Sequence, residues 1–473
     1  MLDDKQKEKE RRLAERLERF RKKEDSSRPK PHLNKGEDIK ELQGSVRRYR
    51  GALSELSEDI IELTDSADYE TSVKALERLV TNLTEGIKKE PNSSIYIRLK
   101  EALLKLNSKQ ENSESIGKTL DELEKLAEKR GDVEDYLGLG LIFSGLGLEK
   151  AKEAAPLVET IIRQAQSGKV GGVFCSILED KKREIVQLHE KAVPCFEKAV
   201  EKKRDWYGYL NLGTSLIRLG NYKAGEEKIN LYERAVKCFK EAIKTRTSDD
   251  EYSKIHEILL RLNQEREGSY SFEKTVQELE EIVKKKDNEE DYYLFGTIVS
   301  SLGDEKQGEE RVRLYETAVK SLKEGVKKRK GSLCFSELKD AIVKLNKEQK
   351  DNELYKTVVE ELEEKVDERE DKNEYFWFSL ILTRVGDYKE GEEKIGLYEK
   401  AAVYAEKSVK IERDRNNLHV LGETQLKLGQ LKQGEERIRC YEKAVLCFEK
   451  IDGSSENTLL DEARSKLEEA RKE

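Results

Sequence analysis

The sequence is short of several residue types, and each shortage narrows what the chain can be. It has no run of about 18 apolar residues, so a membrane-spanning helix is excluded. Its opening, Met1-Leu2-Asp3-Asp4-Lys5-Gln6, lacks the apolar stretch of a secretory signal. Six cysteines (Cys175, Cys195, Cys238, Cys334, Cys440, Cys447) include no C-x-x-C pair and no histidine at zinc-ligand spacing. The closest two, Cys440 and Cys447, would stand about 10.5 Å apart on one helix, beyond disulfide reach. Reduced thiols in the cytoplasm are the expectation. Four histidines are too few and too scattered for a metal site. The apolar share is 36%, against about 45–50% for an ordinary globular chain. Proline occurs only five times and methionine once in 473 residues. Charged residues make up 40%, which with abundant Leu points to long, solvated helices. The 91 basic and 99 acidic residues leave a net charge of −8, which argues against a dedicated nucleic-acid binder but not against a local basic face.

What the chain does have is a repeat. One block runs Tyr209-Leu210-Asn211-Leu212-Gly213, then Gly220, Gly225-Glu226-Glu227, Tyr232 and Ala235. Its relatives are centred on Gly296, Ser379 and Gly422, and the matching alanine (Ala318, Ala401, Ala444) follows 22 positions later each time. A shorter block is interleaved, ending in Leu103-Leu104-Lys105-Leu106-Asn107, Leu259-Leu260-Arg261-Leu262-Asn263 and Ile342-Val343-Lys344-Leu345-Asn346. Long and short blocks together recur every 83 residues, and about nine units fill residues 45–457. Each unit reads as two antiparallel amphipathic helices. Leu212, Leu216 and Leu219 form one stripe of the first helix, and Ala235, Phe239 and Ala242 form a small-large-small face on the second. A glycine in mid-helix costs about 1 kcal/mol, so Gly140, Gly213, Gly296 and Gly422 imply a neighbouring helix packed against them. Gly220 and Asn263 are read as helix stops, entering the left-handed conformation cheaply. No such hairpin buries its apolar side alone, so the units must stack as a solenoid.

The residues Leu212-Gly213, Gly220, Ala235, Phe239 and Ala242 resemble the pattern of the tetratricopeptide repeat. The resemblance covers nearly all of residues 45–457 and implies an all-α fold, a right-handed α-solenoid of stacked antiparallel helix pairs wound into a superhelix. Two departures stand out. The long units carry about ten extra residues (222–231) that lengthen the second helix, and the short units place Lys100, His256 or Lys339 where the packing glycine would fall.

Three segments leave the pattern. Gly140 is followed by its alanine, Ala192, after 52 positions, so 30 residues are inserted within 150–182, expected as an extra hairpin packed on the solenoid. Residues 1–44 read as a charged helix and linker, and 458–473 as a polar-backed capping helix.

Chemistry is sparse. Ile116-Gly117-Lys118-Thr119 ends like a phosphate loop but has Asn112 where the earlier glycine belongs, so it is a helix start. Cys195, Cys238 and Cys447 share a repeat position with Ser321 and Tyr404, which marks filler rather than a nucleophile. His189 stands where Tyr232, Tyr315, Tyr398 and Tyr441 stand, as a packing substitute. His256 replaces Lys100 and Lys339 and is expected to be exposed. No catalytic residue, cofactor or metal follows from the sequence.

In tetratricopeptide solenoids the first helices line the concave surface. The resemblance implies that positions three before and five after the packing glycine point inward: Leu210, Tyr293, Phe376 and His419, then Arg218, Ser301, Arg384 and Lys427. An aromatic row beside a cationic row would suit a protein or peptide partner, possibly an acidic one. The expected activity is therefore non-catalytic scaffolding in the cytoplasm. A helical-repeat RNA-binding protein and a regulatory subunit of an enzyme complex are the alternatives.

Overall fold

A computed structural model describes residues 69–109, 114–166, 172–246, 248–265, 270–329, 333–349, 352–451 and 458–472. Among them are eighteen α-helices and no strand. The arm at 1–44, His32, residues 45–68, Asn112 and the middle of the insertion lie outside the described residues.

The helices divide into two compact units, one ending at Thr245 and one beginning at Arg246. The first holds α1 (Tyr69–Lys89), α2 (Ser93–Lys109), α3 (Glu114–Arg130), α4 (Val133–Gln166), α5 (Gly172–Lys202), α6 (Trp206–Gly220) and α7 (Gly225–Thr245). The second holds α8 (Asp249–Glu265), α9 (Tyr270–Lys286), α10 (Glu289–Asp304), α11 (Gly308–Lys328), α12 (Cys334–Glu348) and α13 (Leu354–Arg369). It continues with α14 (Lys372–Gly386), α15 (Gly391–Ile411), α16 (Arg415–Leu431), α17 (Gly434–Glu449) and α18 (Thr458–Ala470).

Both units are α-solenoids of stacked antiparallel helix pairs. The close pairs are α4/α5 and α6/α7 in the first unit, and α10/α11, α14/α15 and α16/α17 in the second. Glycines set their separation. A Cβ on Gly140, Gly213, Gly296 or Gly422 would come within 2.7, 2.8, 2.5 or 2.6 Å of Phe196, Phe239, Leu322 or Phe448, closer than real Cβ contacts allow. Ala235, Ala318, Ala401 and Ala444 are fully buried on the facing helix. Burying one Phe or Leu at such a contact contributes roughly 1.5–3 kcal/mol, more than the ~1 kcal/mol propensity cost of the glycine.

The second glycine of each long unit serves packing too, which corrects its reading as a left-handed helix stop. Gly220 lies within α6, and the residue after it, Asn221, has φ −63°, an ordinary right-handed value. What requires glycine there is the ring of Tyr232, 2.6 Å from where a Cβ would sit. Tyr315, Tyr398 and Tyr441 meet Gly303, Gly386 and Gly429 in the same way, and His189 meets Gly147 at 2.9 Å. In the long units positive φ values fall on the first residues of the second helices instead: Gly225, Gly308, Gly391 and Gly434, at +55° to +57°. Three of those helices span 21 residues, so the extra residues of the long units do lengthen them.

The short units are not tight hairpins. Their helices α2/α3, α8/α9 and α12/α13 hardly touch each other, and Lys100 and Lys339, at the place of the packing glycine, lie against Gly145 of α4 and Trp377 of α14 instead. Each first helix packs on other elements: α2 on α1 and α4, α12 on α11 and α14, α8 on α10. Helix α13 bridges α11 and α14, as α3 bridges α1 and α4. The insertion likewise differs from a separate hairpin. It is taken up by lengthening both members of one pair, so α4 has 34 residues and α5 has 31. At its root Lys150, only 2% exposed, lies 3.6 Å from Glu153 and 3.5 Å from Glu184. Beyond α17, α18 buries Ala463, Leu467 and Ala470 against the core built by Leu418, Leu421 and Phe448.

Candidate partner-binding face

The first helices of the long units begin at polar caps. Asp205, Asn288, Asp371 and Asp414 each accept a hydrogen bond from a backbone amide of the first turn, which satisfies one of the donors a helix start leaves open. These caps set where α6, α10, α14 and α16 begin.

Of the aromatic row, Leu210 and Tyr293 are half-buried, Phe376 is half-buried and His419 is exposed. Phe376 stands edge-on to Trp377 with centroids 5.1 Å apart and leans on the core of the last helices. The His419 ring is edge-on to Phe448 at 6.1 Å. Sequence reasoning missed Trp377, a second half-buried aromatic one residue further along.

The cationic row is not uniform. Arg384 Nη1 lies 2.7 Å from Glu423 Oε1 and 3.4 Å from Asp387, while Lys427 contacts the same two carboxylates at 2.7 and 3.0 Å. The Tyr398 hydroxyl also donates to Asp387 Oδ1, at 2.7 Å. Burial alone would raise the Asp387 and Glu423 carboxyls, but hydrogen bonds from Lys427, Tyr398 and Arg384 hold both below their ordinary values. Ser301 is half-buried, and its neighbour Ser300 is approached by Lys344 Nζ, which pairs with Asp304 at 2.6 Å. In the first unit Arg218 is different. Its Nη1 donates to Ser144 Oγ at 2.7 Å, burial lowers its pKa from 12.5, and no carboxylate counteracts.

A second constellation escaped the sequence reading altogether. Where a long unit follows a short one, the residue five before the small packing position is a fully buried acid: Asp135, Asp291 or Glu374. Tyr96 and Tyr252 donate to the first two at 2.7 and 2.9 Å. A base at the end of the short unit faces each acid: Arg130 at 3.7 Å, Lys286 at 2.9 Å and Arg369 at 3.3 Å. Arg369 also donates to the carbonyls of Val326 and Lys327 at the end of α11, and Arg130 to that of Ile87 at the end of α1. These are charges spent on joining units: where long follows long, the same position is Gly208 or Asn417.

Among the described residues, the buried thiols and imidazoles do not suit nucleophilic chemistry. The five described cysteines form no disulfide, and burial pushes Cys195 and Cys238 up to about 12 and Cys447 up to about 11. His189 is 1% exposed and held down at about 4, by burial first and by the Arg218 charge second. His256 is half-buried rather than exposed, and burial lowers it too. Among the described residues there is no group of three side chains able to hold a metal ion, and no helix long and apolar enough to cross a membrane.

No family model matches the chain, and no curated protein matches it. Several solved structures align at low similarity. They include the S. pombe nuclear import adaptor Nro1, with 8% identity and a TM-score of 0.30, over 67% of this chain and 99% of that one. A human IFIT1 dimer with PPP-AAAA aligns with 13% identity and a TM-score of 0.27, over 89% and 90% of the two chains. Yeast Tom70 aligns with 16% identity and a TM-score of 0.19, over 96% of each chain. Likenesses this distant say nothing about what the chain binds, and the assignment as a helical-repeat protein rests on the packing described above.

Proposed function

We propose that the chain is a non-catalytic adaptor of the tetratricopeptide-repeat type, acting in the cytoplasm, which holds a protein or peptide partner on the concave surface lined by its first helices. The observation that carries this reading is a division of labour among repeat positions. Glycine, alanine and the tyrosine facing Gly303 or Gly386 are consumed by packing, whereas Tyr293, Phe376 and Trp377 stay half-exposed on the first helices. Aromatic side chains left partly open on a rigid element are what partner surfaces use as anchors. The overall negative charge and the internal pairing of Arg384 and Lys427 weigh against a nucleic-acid groove.

The test is affinity capture with wild type and with Tyr293→Ala/Phe376→Ala, both checked for an unchanged melting temperature. The reading expects a partner retained by wild type and lost from the variant. Equal capture by both would remove the aromatic row from the binding surface.

A further inference from the structure

The lengthened pair α4/α5 carries an apolar stripe that the fold leaves uncovered. Of the large apolar side chains exposed among the described residues, Leu148, Val158, Ile162 and Ile177 all lie on this pair. Single exposed apolar residues are ordinary, but these are not scattered. Leu148, Ala151, Ala155, Val158 and Ile162 follow one another at spacings of three, four, three and four, the a/d pattern of a coiled-coil seam. Ala151 is half-buried, and Leu148, Ala155, Val158 and Ile162 are exposed. At 1.5 Å per residue the stripe runs about 21 Å along α4. The contacts α4 already makes here use other positions. Ala154 is buried and Leu157 and Ile161 are half-buried, on the side where Lys150 pairs with Glu184 of α5. Asn107, near the end of α2, donates to Glu153 at 3.1 Å, half a turn round the helix from the stripe. Pro156 also falls off the stripe. The helix therefore has two apolar faces, one of them spent on α5.

The second face fits a copy of itself. Laid antiparallel on its own stripe, Ala151 meets the partner's Ile162, and Ala155 meets the partner's Val158. Each layer then sets a small residue against a β-branched one, which lets the helices approach without a void. The flanking charges agree in the same register. Lys152 and Glu159 border one side of the stripe, at the e positions of its heptads. Antiparallel pairing brings Lys152 beside the partner's Glu159 and Glu159 beside the partner's Lys152. A parallel pair would set these charges against Gly147 and Ala154 and gain no match. Within the chain Lys152 contacts Glu149 at 3.2 Å and Glu159 contacts Arg163 at 3.4 Å. Both are solvated helix pairs, of a kind that contributes little and is readily exchanged.

We propose that Leu148, Ala151, Ala155, Val158 and Ile162 form a homodimer seam, on which α4 of a second copy of this chain packs antiparallel. A surface that is its own complement closes as a two-fold dimer and leaves no free end to propagate. About two heptads are short for a coiled coil. Both helices are already formed, however, so association does not have to drive their folding. The inference is independent of the adaptor reading, which concerns Tyr293 and Phe376.

The test is sedimentation equilibrium of the full chain at low salt, up to about 0.2 mM, which reveals dissociation constants into that range. Wild type should pass from monomer to dimer as concentration rises. Ile162→Glu, Lys152→Glu and Glu159→Lys should each weaken dimerisation by about tenfold or more, through a buried charge in the first and like charges brought together in the others. The double variant Lys152→Glu/Glu159→Lys should regain the dimer. An equimolar mixture of the two single charge variants should form a heterodimer, because each then complements the other. Residues 152 and 159 stand two turns apart on one helix, so no contact within a chain explains such a rescue. Helicity and melting temperature of the dilute variants should match wild type. A wild type that stays monomeric throughout, or a dimer indifferent to Ile162→Glu, would overturn the seam. Charge variants whose losses add in the double variant would overturn the antiparallel pairing. A monomer whose melting temperature falls with Ile162→Glu would overturn the proposal in favour of cover from the same chain.

Discussion

The ring of Tyr315 occupies the space that any side chain on Gly303 would need, and its hydroxyl donates to Asp304, the next residue, at 2.7 Å. The same latch closes Tyr232 on Gly220 and Asn221, and Tyr398 on Gly386 and Asp387. It ties the start of each second helix to the end of the first. In the last long unit the latch is incomplete. Tyr441 packs on Gly429, but the following residue is Gln430, and the buried Tyr441 hydroxyl has no partner among the described residues.

Completing that latch should stabilise the protein. Gln430→Asp places an acceptor where Asp304 and Asp387 stand, and we expect a gain of about 1 kcal/mol, the net value of one hydrogen bond. Gly303→Ala should cost roughly 1–3 kcal/mol by forcing the Tyr315 ring out of register. Urea melts of both variants read these changes directly, and an unchanged midpoint for Gly303→Ala would refute the packing role given to that glycine.

A volume exchange is expected between Ser379 and Ala405. The positions that hold Gly213/Phe239, Gly296/Leu322 and Gly422/Phe448 hold Ser379/Ala405 in the fourth long unit, both buried. Ala405→Leu alone should cost about 1–3 kcal/mol through overpacking. Ser379→Gly alone should cost of order 1 kcal/mol in helix propensity. Together they recreate the pair seen at Gly296 and Leu322, so the double variant should be more stable than the two losses added, with a coupling of about 0.5–3 kcal/mol in a double-mutant cycle.

The matched cations leave a signature in acid. Asp387 is held below its ordinary 3.8 and Glu423 below its ordinary 4.5, so both bind protons less readily folded than unfolded. Their contribution is therefore present above those ordinary values and is lost as pH falls through the folded ones. Asp387→Asn should make the acid side of the stability curve shallower while leaving the slope above neutrality unchanged. Denaturant melts from pH 7 down to pH 3 would show this; superimposable acid limbs would contradict it.

The stacking itself was written in the spacing of glycine and alanine, because a small residue in mid-helix has one common cause. The job of Gly220 was not legible, since a glycine needed for a left-handed φ and one needed for lack of a Cβ look identical in sequence. Only the neighbouring Gly225, five residues on, has the positive φ. Asp135, Asp291 and Glu374 were hidden among 99 acids. The signal that could have found them is conditional: an acid five before the packing position only when a short unit precedes, and Gly208 or Asn417 otherwise. The cationic row was misjudged as a group for a related reason. The carboxylates that occupy Arg384 and Lys427 include one 39 and one 40 residues away, and no local pattern announces that Arg218 lacks such a partner.

The most direct measurement is hydrogen exchange of the chain with and without its captured partner, resolved by peptide. A surface made by the first helices should gain protection in α6, α10, α14 and α16, with α7, α11, α15 and α17 unchanged. Protection confined to those second helices, with the first helices exchanging as before, would contradict it.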